Sequence, residues 1–212
     1  MIHALTPMEA APFRPPTALV PPAEALLAGA VAAVLRHARE GSLPLFARTL
    51  GMPQRELLAL VEHCLPGRRD NMPIPASKYA ALAEHAPVVF HELVALLLAG
   101  VTPGVDGRQA GWLARAVAAA GMGRRHLWQD LGLAGREEVL ALLRHYFLPL
   151  YAANTDDIKW KRFLFEQLGR TLGRPGLRPP VAVAASRPPP VSAAARRRTR
   201  RRTAPTSRGS VR

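Results

Sequence analysis

A chain of 212 residues, 49% hydrophobic and 6% aromatic, has enough apolar material for one buried core, or one domain with an appendage. Its formal charge of +14 is uneven: residues 170–212 hold 12 of the 29 Lys and Arg and no acid, leaving 17 cations against 15 acids in residues 1–169. The body is nearly neutral, so a case for nucleic-acid binding from the sequence pI of 11.5 applies to the tail alone. The single cysteine, Cys64, excludes a disulfide framework within one chain, and any iron–sulfur or zinc site built from several of its cysteines. No uncharged apolar run reaches the ~18 residues of a spanning helix. The first ten residues lack a basic region before an apolar stretch, so no secretory leader and no membrane association are expected, and a cytoplasmic location is.

Residues 1–22 include Pro7, Pro12, Pro15, Pro16, Pro21 and Pro22, each removing a backbone donor, and read as a disordered proline-rich arm. From Ala23 to Arg39, Leu26, Leu27, Ala30, Val31, Val34 and Leu35 recur at helical spacing, and Gly41 ends the run. A short helix over Ser42–Leu50, a turn at Gly51 and a helix over Pro53–Cys64 follow, with Pro53 at its first position. Residues 66–76 read as a loop, Ser77 as a cap for the next helix, and Pro87 as a divider before an apolar helix over Val88–Leu98. After a break rich in Gly and Pro at 99–107, helices are expected over Arg108–Ala120, Arg136–Tyr151 and Thr155–Leu168. Asn154 with Asp156 and Asp157 reads as the start signal of the last, which carries Trp160, Phe163, Leu164 and Leu168 on one face.

No sustained period-two alternation appears, so the expected fold is all-α: a compact bundle of about six helices over residues 23–168. It contains two helical-hairpin units, either an old duplication or two uses of a common pattern. Leu50-Gly51, Arg55 to Leu60 and His63 in the first match Leu131-Gly132, Arg136 to Leu142 and His145 in the second, offset by 81 and then 82 residues. Residues 169–212 are expected to be a disordered arginine-rich tail. From 170 onward they use eight residue types, with seven prolines and no aromatic or acid.

Several constellations carry candidate chemistry. Phe46 to Leu60, with Gly51 at a turn, fits either a plain helical hairpin or a DNA-reading helix-turn-helix. The run Arg196–Arg202 would hold polyanions by counterion release, which makes non-specific nucleic-acid binding through residues 170–212 an expected property. His126 and Asp130 share a face if their segment is helical, and are the candidate metal ligands or proton-transfer pair; a cap beside a packed Trp128 is the plainer reading. No phosphate loop, Ser/His/Asp order or HExxH motif is present, so no catalytic residue is assigned and the chain is not expected to be an enzyme.

The string His126-Leu127-Trp128-Gln129-Asp130-Leu131-Gly132-Leu133 is rare. With Asn154-Thr155 and Ile158-Lys159-Trp160-Lys161-Arg162-Phe163 through Leu168, it resembles the nitrogen-fixation NifQ family; Trp128, Trp160 and Lys161 are family-motif residues of unassigned role. The likeness covers residues 42–168. It implies an accessory protein that carries molybdenum in a molybdenum–iron–sulfur cluster and passes it to the proteins assembling the nitrogenase iron–molybdenum cofactor. The family's four-cysteine motif, expected just after Leu168, is missing here, so cluster retention is not expected and cofactor-binding residues stay unassigned. The loss falls where the composition changes, as a frameshift near codons 165–175 would produce.

Overall fold

The computed structural model describes residues 20–67 and 74–180. Among them there is no strand. The α-helices are α1 (Ala23–Arg39), α2 (Gln54–Cys64), α3 (Ala76–Glu84), α4 (Val88–Ala99), α5 (Gly107–Gly121), α6 (Leu127–Asp130), α7 (Arg136–Tyr146), α8 (Leu148–Ala153) and α9 (Trp160–Thr171), with a 3-10 turn at Leu45–Arg48. The all-α expectation holds, but the count of about six is too low among the described residues. The additions come from splits and short turns: α6 has four residues and α8 has six.

α1 and α5 carry the core. α1 buries Leu27, Ala30, Val31 and Val34, and packs against α2, α5, α6 and α7. α5 buries Leu113 and Val117 among Ala114, Ala116 and Ala118–Ala120, small side chains that let α1 and α4 approach its backbone. Asp106 caps α5, accepting from the N–H groups of Arg108 (2.7 Å) and Gln109 (3.0 Å). Pro87 divides α3 from α4 as expected, at a bend of 82°. No single helix among the described residues is long and apolar enough to cross a membrane.

Four local expectations are corrected. Ser77 lies inside α3, whose N-cap is Pro75, so it does not cap the helix. Ser42–Leu50 is a single 3-10 turn rather than a helix, and Leu50 then takes φ +49. The helix expected over Arg136–Tyr151 splits at Phe147, because Pro149 in a helix interior would clash with the preceding turn but is accepted in the first turn of α8. The last helix starts at Trp160, not Thr155. Asn154 spends its amide on a turn, donating to the Ile158 carbonyl and accepting the Ile158 N–H, both at 3.0 Å, and Asp157 turns the chain with φ +51.

The two hairpin units share a backbone plan. Each has a short helical turn, then a glycine in the left-handed region (Gly51, φ +57; Gly132, φ +63), then an 11-residue helix. Both helices end alike, at Leu65 (φ −135, ψ 55) and Phe147 (φ −136, ψ 49). In the first unit, the Arg115 guanidinium holds the turn by donating to the Gly51 carbonyl at 2.8 Å.

The tail does not begin disordered at 169. α9 runs to Thr171, and Gly173 (φ +63) and Gly176 (φ +83) fold the chain back on it. The Arg174 N–H donates to the Gly169 carbonyl at 2.7 Å, the Arg174 guanidinium pairs with Glu92, and Leu177 packs on the core. The arm through residue 19, part of the loop at 68–73, and the tail from 181 with its Arg196–Arg202 run lie outside the described residues.

Candidate functional site

The turn from Gly123 into α6 and the start of α9 meet at Asp130, whose side chain is fully buried. Its carboxylate accepts from the Arg125 backbone N–H (3.2 Å) and Nε (2.9 Å), and from Lys161 Nζ at 2.6 Å. Lys161 also donates to the Gly123 carbonyl at 3.0 Å. Burial lowers the Lys161 pKa while the bond to Asp130 opposes the shift. Gly123 must lack a side chain: a Cβ there would fall 2.2 Å from Asp130 Oδ2. From α1, His37 Nδ1 lies 3.1 Å from the Asp130 backbone carbonyl. This charged cluster therefore ties α1, α6 and α9 together.

Over it lies a cavity of about 370 Å³. Arg125, His126, Leu127 and Trp128 line it from the α6 segment, Arg136 and Val139 from α7, Lys159 to Arg162 from α9, and Pro179 from the segment after α9. Five of these side chains are cationic and none is acidic. Outside the lining, Asp157 pairs with Arg136, and Glu166 with Arg162 at 2.6 Å. Trp160 stacks on Tyr151 (centroids 6.2 Å apart) and meets Phe163 edge-on at 5.4 Å. Its indole Nε1 is buried without a hydrogen-bond partner. An electropositive recess with partly apolar walls attracts anions and strengthens their interactions by displacing water.

The residues singled out by sequence separate here. Trp128, Trp160 and Lys161 come together at the cavity with His126. Asp130 lies under it with its oxygens committed to Arg125 and Lys161, while His126 is exposed, its backbone N–H donating to Gln129 Oε1 at 3.1 Å. No group of three or more His, Cys, Asp or Glu able to hold a metal occurs among the described residues. Cys64 is buried on α2, and burial pushes its thiol up to about 11. A thiol held protonated is a poor metal ligand. A cluster bound by several thiolates therefore does not fit the residues of this chain.

The Phe46–Leu60 segment also lacks the first helix of a helix-turn-helix, having only the 3-10 turn. Phe46, Leu50, Met52 and Leu60 are core residues, and Gln54 Nε2 donates to the Ile74 carbonyl at 2.8 Å. Sequence reasoning missed Arg125, Arg136, Lys159 and Arg162 as a group. A signal was present in Lys159-Trp160-Lys161-Arg162, which puts three cations at a helix start with no acid in the first turn, against the helix dipole.

The family model described as NifQ matches residues 27–181, a window that includes every residue lining the cavity and passes Leu168. Protein NifQ of Rhodobacter capsulatus is 35% identical over 159 residues, covering 74% of this chain and 82% of that protein. Protein NifQ of Azotobacter vinelandii is 36% identical over 123 residues, 58% of this chain and 56% of its own length. Protein NifQ of Klebsiella pneumoniae is 38% identical over 60 residues, 28% of this chain and 36% of its own. No solved structure matches the chain.

Proposed function

Because the chain belongs to the NifQ family, we infer that it handles molybdenum on its way to the iron–molybdenum cofactor of nitrogenase. It acts as a binding and delivery protein rather than a catalyst, and its partners are the proteins that assemble that cofactor. The observation that carries this reading is the family match over residues 27–181, which takes in the helical body from within α1 onward and its basic cavity.

The chemistry on the chain restricts how delivery works. Soft sulfur ligands suit a molybdenum–iron–sulfur cluster, yet the sequence has one cysteine, and its thiol is buried and held protonated. Cluster carriage on thiolates of one chain is therefore not part of the proposal. What the body offers instead is a recess lined by five cations over the buried Asp130–Lys161 pair, suited to cargo that arrives as an anion.

The test uses protein purified without oxygen and a cell extract that assembles the cofactor but lacks its own NifQ. At limiting molybdate, added protein should raise cofactor formation above that from molybdate alone, and the protein should retain molybdenum through gel filtration without stoichiometric iron. Equal cofactor formation with and without the protein would overturn the reading.

A further inference from the structure

Charge at the cavity is concentrated where local rules oppose it. Arg125, Arg136, Lys159, Lys161 and Arg162 line the recess. Asp130 pairs with two of them, Asp157 with Arg136 and Glu166 with Arg162, so five cations face three acids and two positive charges are in excess. Lys159, at the N-cap of α9, has no ion-pair partner among the described residues. No side chain caps the first N–H groups of α9, and its positive dipole end adds to the surrounding cations. Helix starts of this kind are stabilised by a bound anion.

Trp160, 6% exposed, lines the cavity. At about 370 Å³ the space is far larger than the ~10–15 Å³ that one water needs.

We propose that this cavity binds a tetrahedral oxyanion carrying two negative charges, neutralised by the surplus cations around the start of α9. The class of ligand follows from the charge balance. Its identity as molybdate, the dianion that carries molybdenum in neutral water, rests on the molybdenum-delivery reading above. Sulfate and hydrogen phosphate share the shape and charge, so the three are separated by experiment.

The test is equilibrium dialysis of the full-length protein against labelled molybdate, sulfate and phosphate in turn, at fixed salt, with thermal melts of each variant. One saturable site per chain is expected for at least one of the three. Lys159→Gln changes an exposed residue, so it spares the fold, and should weaken binding about tenfold. Arg55→Gln, on an exposed position of α2, should change nothing. All variants keep the arginine tail, so a loss in Lys159→Gln places binding at the cavity rather than on the tail. Absence of saturable binding for all three anions, or equal binding by wild type and Lys159→Gln, would overturn the proposal. Sulfate or phosphate binding without molybdate would keep the dianion site and refute its molybdenum cargo. Cofactor donation without cavity-dependent binding would refute the site and leave the delivery reading standing.

Discussion

Replacing Asp130 by Asn keeps the size of the side chain and removes its charge. In the folded protein that charge is shared unequally. Arg125 keeps 43% of its side chain exposed and can turn to water, whereas Lys161 is 11% exposed and has only the Gly123 carbonyl as a further acceptor. The variant therefore leaves a buried ammonium without a counter-charge, a loss of about 3–5 kcal/mol. Against a total stability of ~5–15 kcal/mol this is a large fraction. With a urea slope near ~2 kcal/mol per molar, the midpoint should fall by roughly 2 M. Lys161→Met alone should cost less, because Asp130 keeps Arg125 and a backbone N–H. Combining Asp130→Asn with Lys161→Met should recover about 2 kcal/mol relative to the summed single losses. Urea denaturation followed by helical circular dichroism gives all four corners of the cycle. A chelator should leave the wild-type midpoint unchanged if the partner of Asp130 is Lys161 rather than a metal. An Asp130→Asn loss below ~1 kcal/mol, or additive single losses, would refute the assignment of this pair as the fastener between α6 and α9.

The remaining predictions probe other links between sequence and fold. Gly132 has φ +63, and a Cβ there would lie 2.2 Å from Ala33 Cβ on α1, so Gly132→Ala should destabilise by about 2–4 kcal/mol. Gly29, exposed within α1 with no neighbour within 4 Å of a Cβ, should stabilise by about 0.5–1 kcal/mol as Gly29→Ala. The reverse order of these two variants in thermal melts would contradict the packing of α1 on the second hairpin unit. Cys64, with its thiol pushed up to about 11, should react with a disulfide reagent at pH 8 only as fast as the protein opens, and at once in denaturant. Immediate labelling of the native chain would place that thiol outside the core. The Asp106 carboxyl is held below its ordinary 3.8 by the Gln109 and then the Arg108 backbone N–H. Its stabilising contribution is present above pH 3.8 and lost as pH falls through the lower folded value, so the melting difference between wild type and Asp106→Ala should shrink only in acid. A difference that is constant from neutral pH to about pH 2 would mean the capping bonds do not depend on the charge.

The positive recess and the missing thiols describe one chemical situation. A chain with a single buried cysteine has no set of soft ligands to offer, but guanidinium and ammonium groups bind hard, fully oxygenated anions without any covalent bond to the metal. Such binding is reversible and depends on charge and hydrogen bonding, which suits hand-over. It also explains why Asp130 matters although it is not itself in the lining. It holds Lys161 in a buried place at the cavity floor, while Arg125, Arg136, Lys159 and Arg162 reach the recess as exposed or partly exposed side chains.

Periodic features were legible along the chain because each depends on neighbours three or four residues apart. The face of Trp160, Phe163, Leu164 and Leu168 is buried as its spacing requires, α1 spans Ala23–Arg39, and the glycines of both hairpin units take the left-handed conformation that ends a turn. Sequence alone also established that one cysteine cannot hold a cluster of thiolates, since that is a matter of counting. The tertiary structure decided what pairing depends on. Asn154 looked like a cap and became a turn; Asp130, a candidate metal ligand or simply part of a cap, pairs in the fold with a lysine 31 residues away. Cations in the turn before α6, on α7 and at the start of α9 acquired a shared meaning only when the bundle brought them around one recess. Charge acts through distance in space, and spacing along a chain reports that distance only within a turn or two of helix.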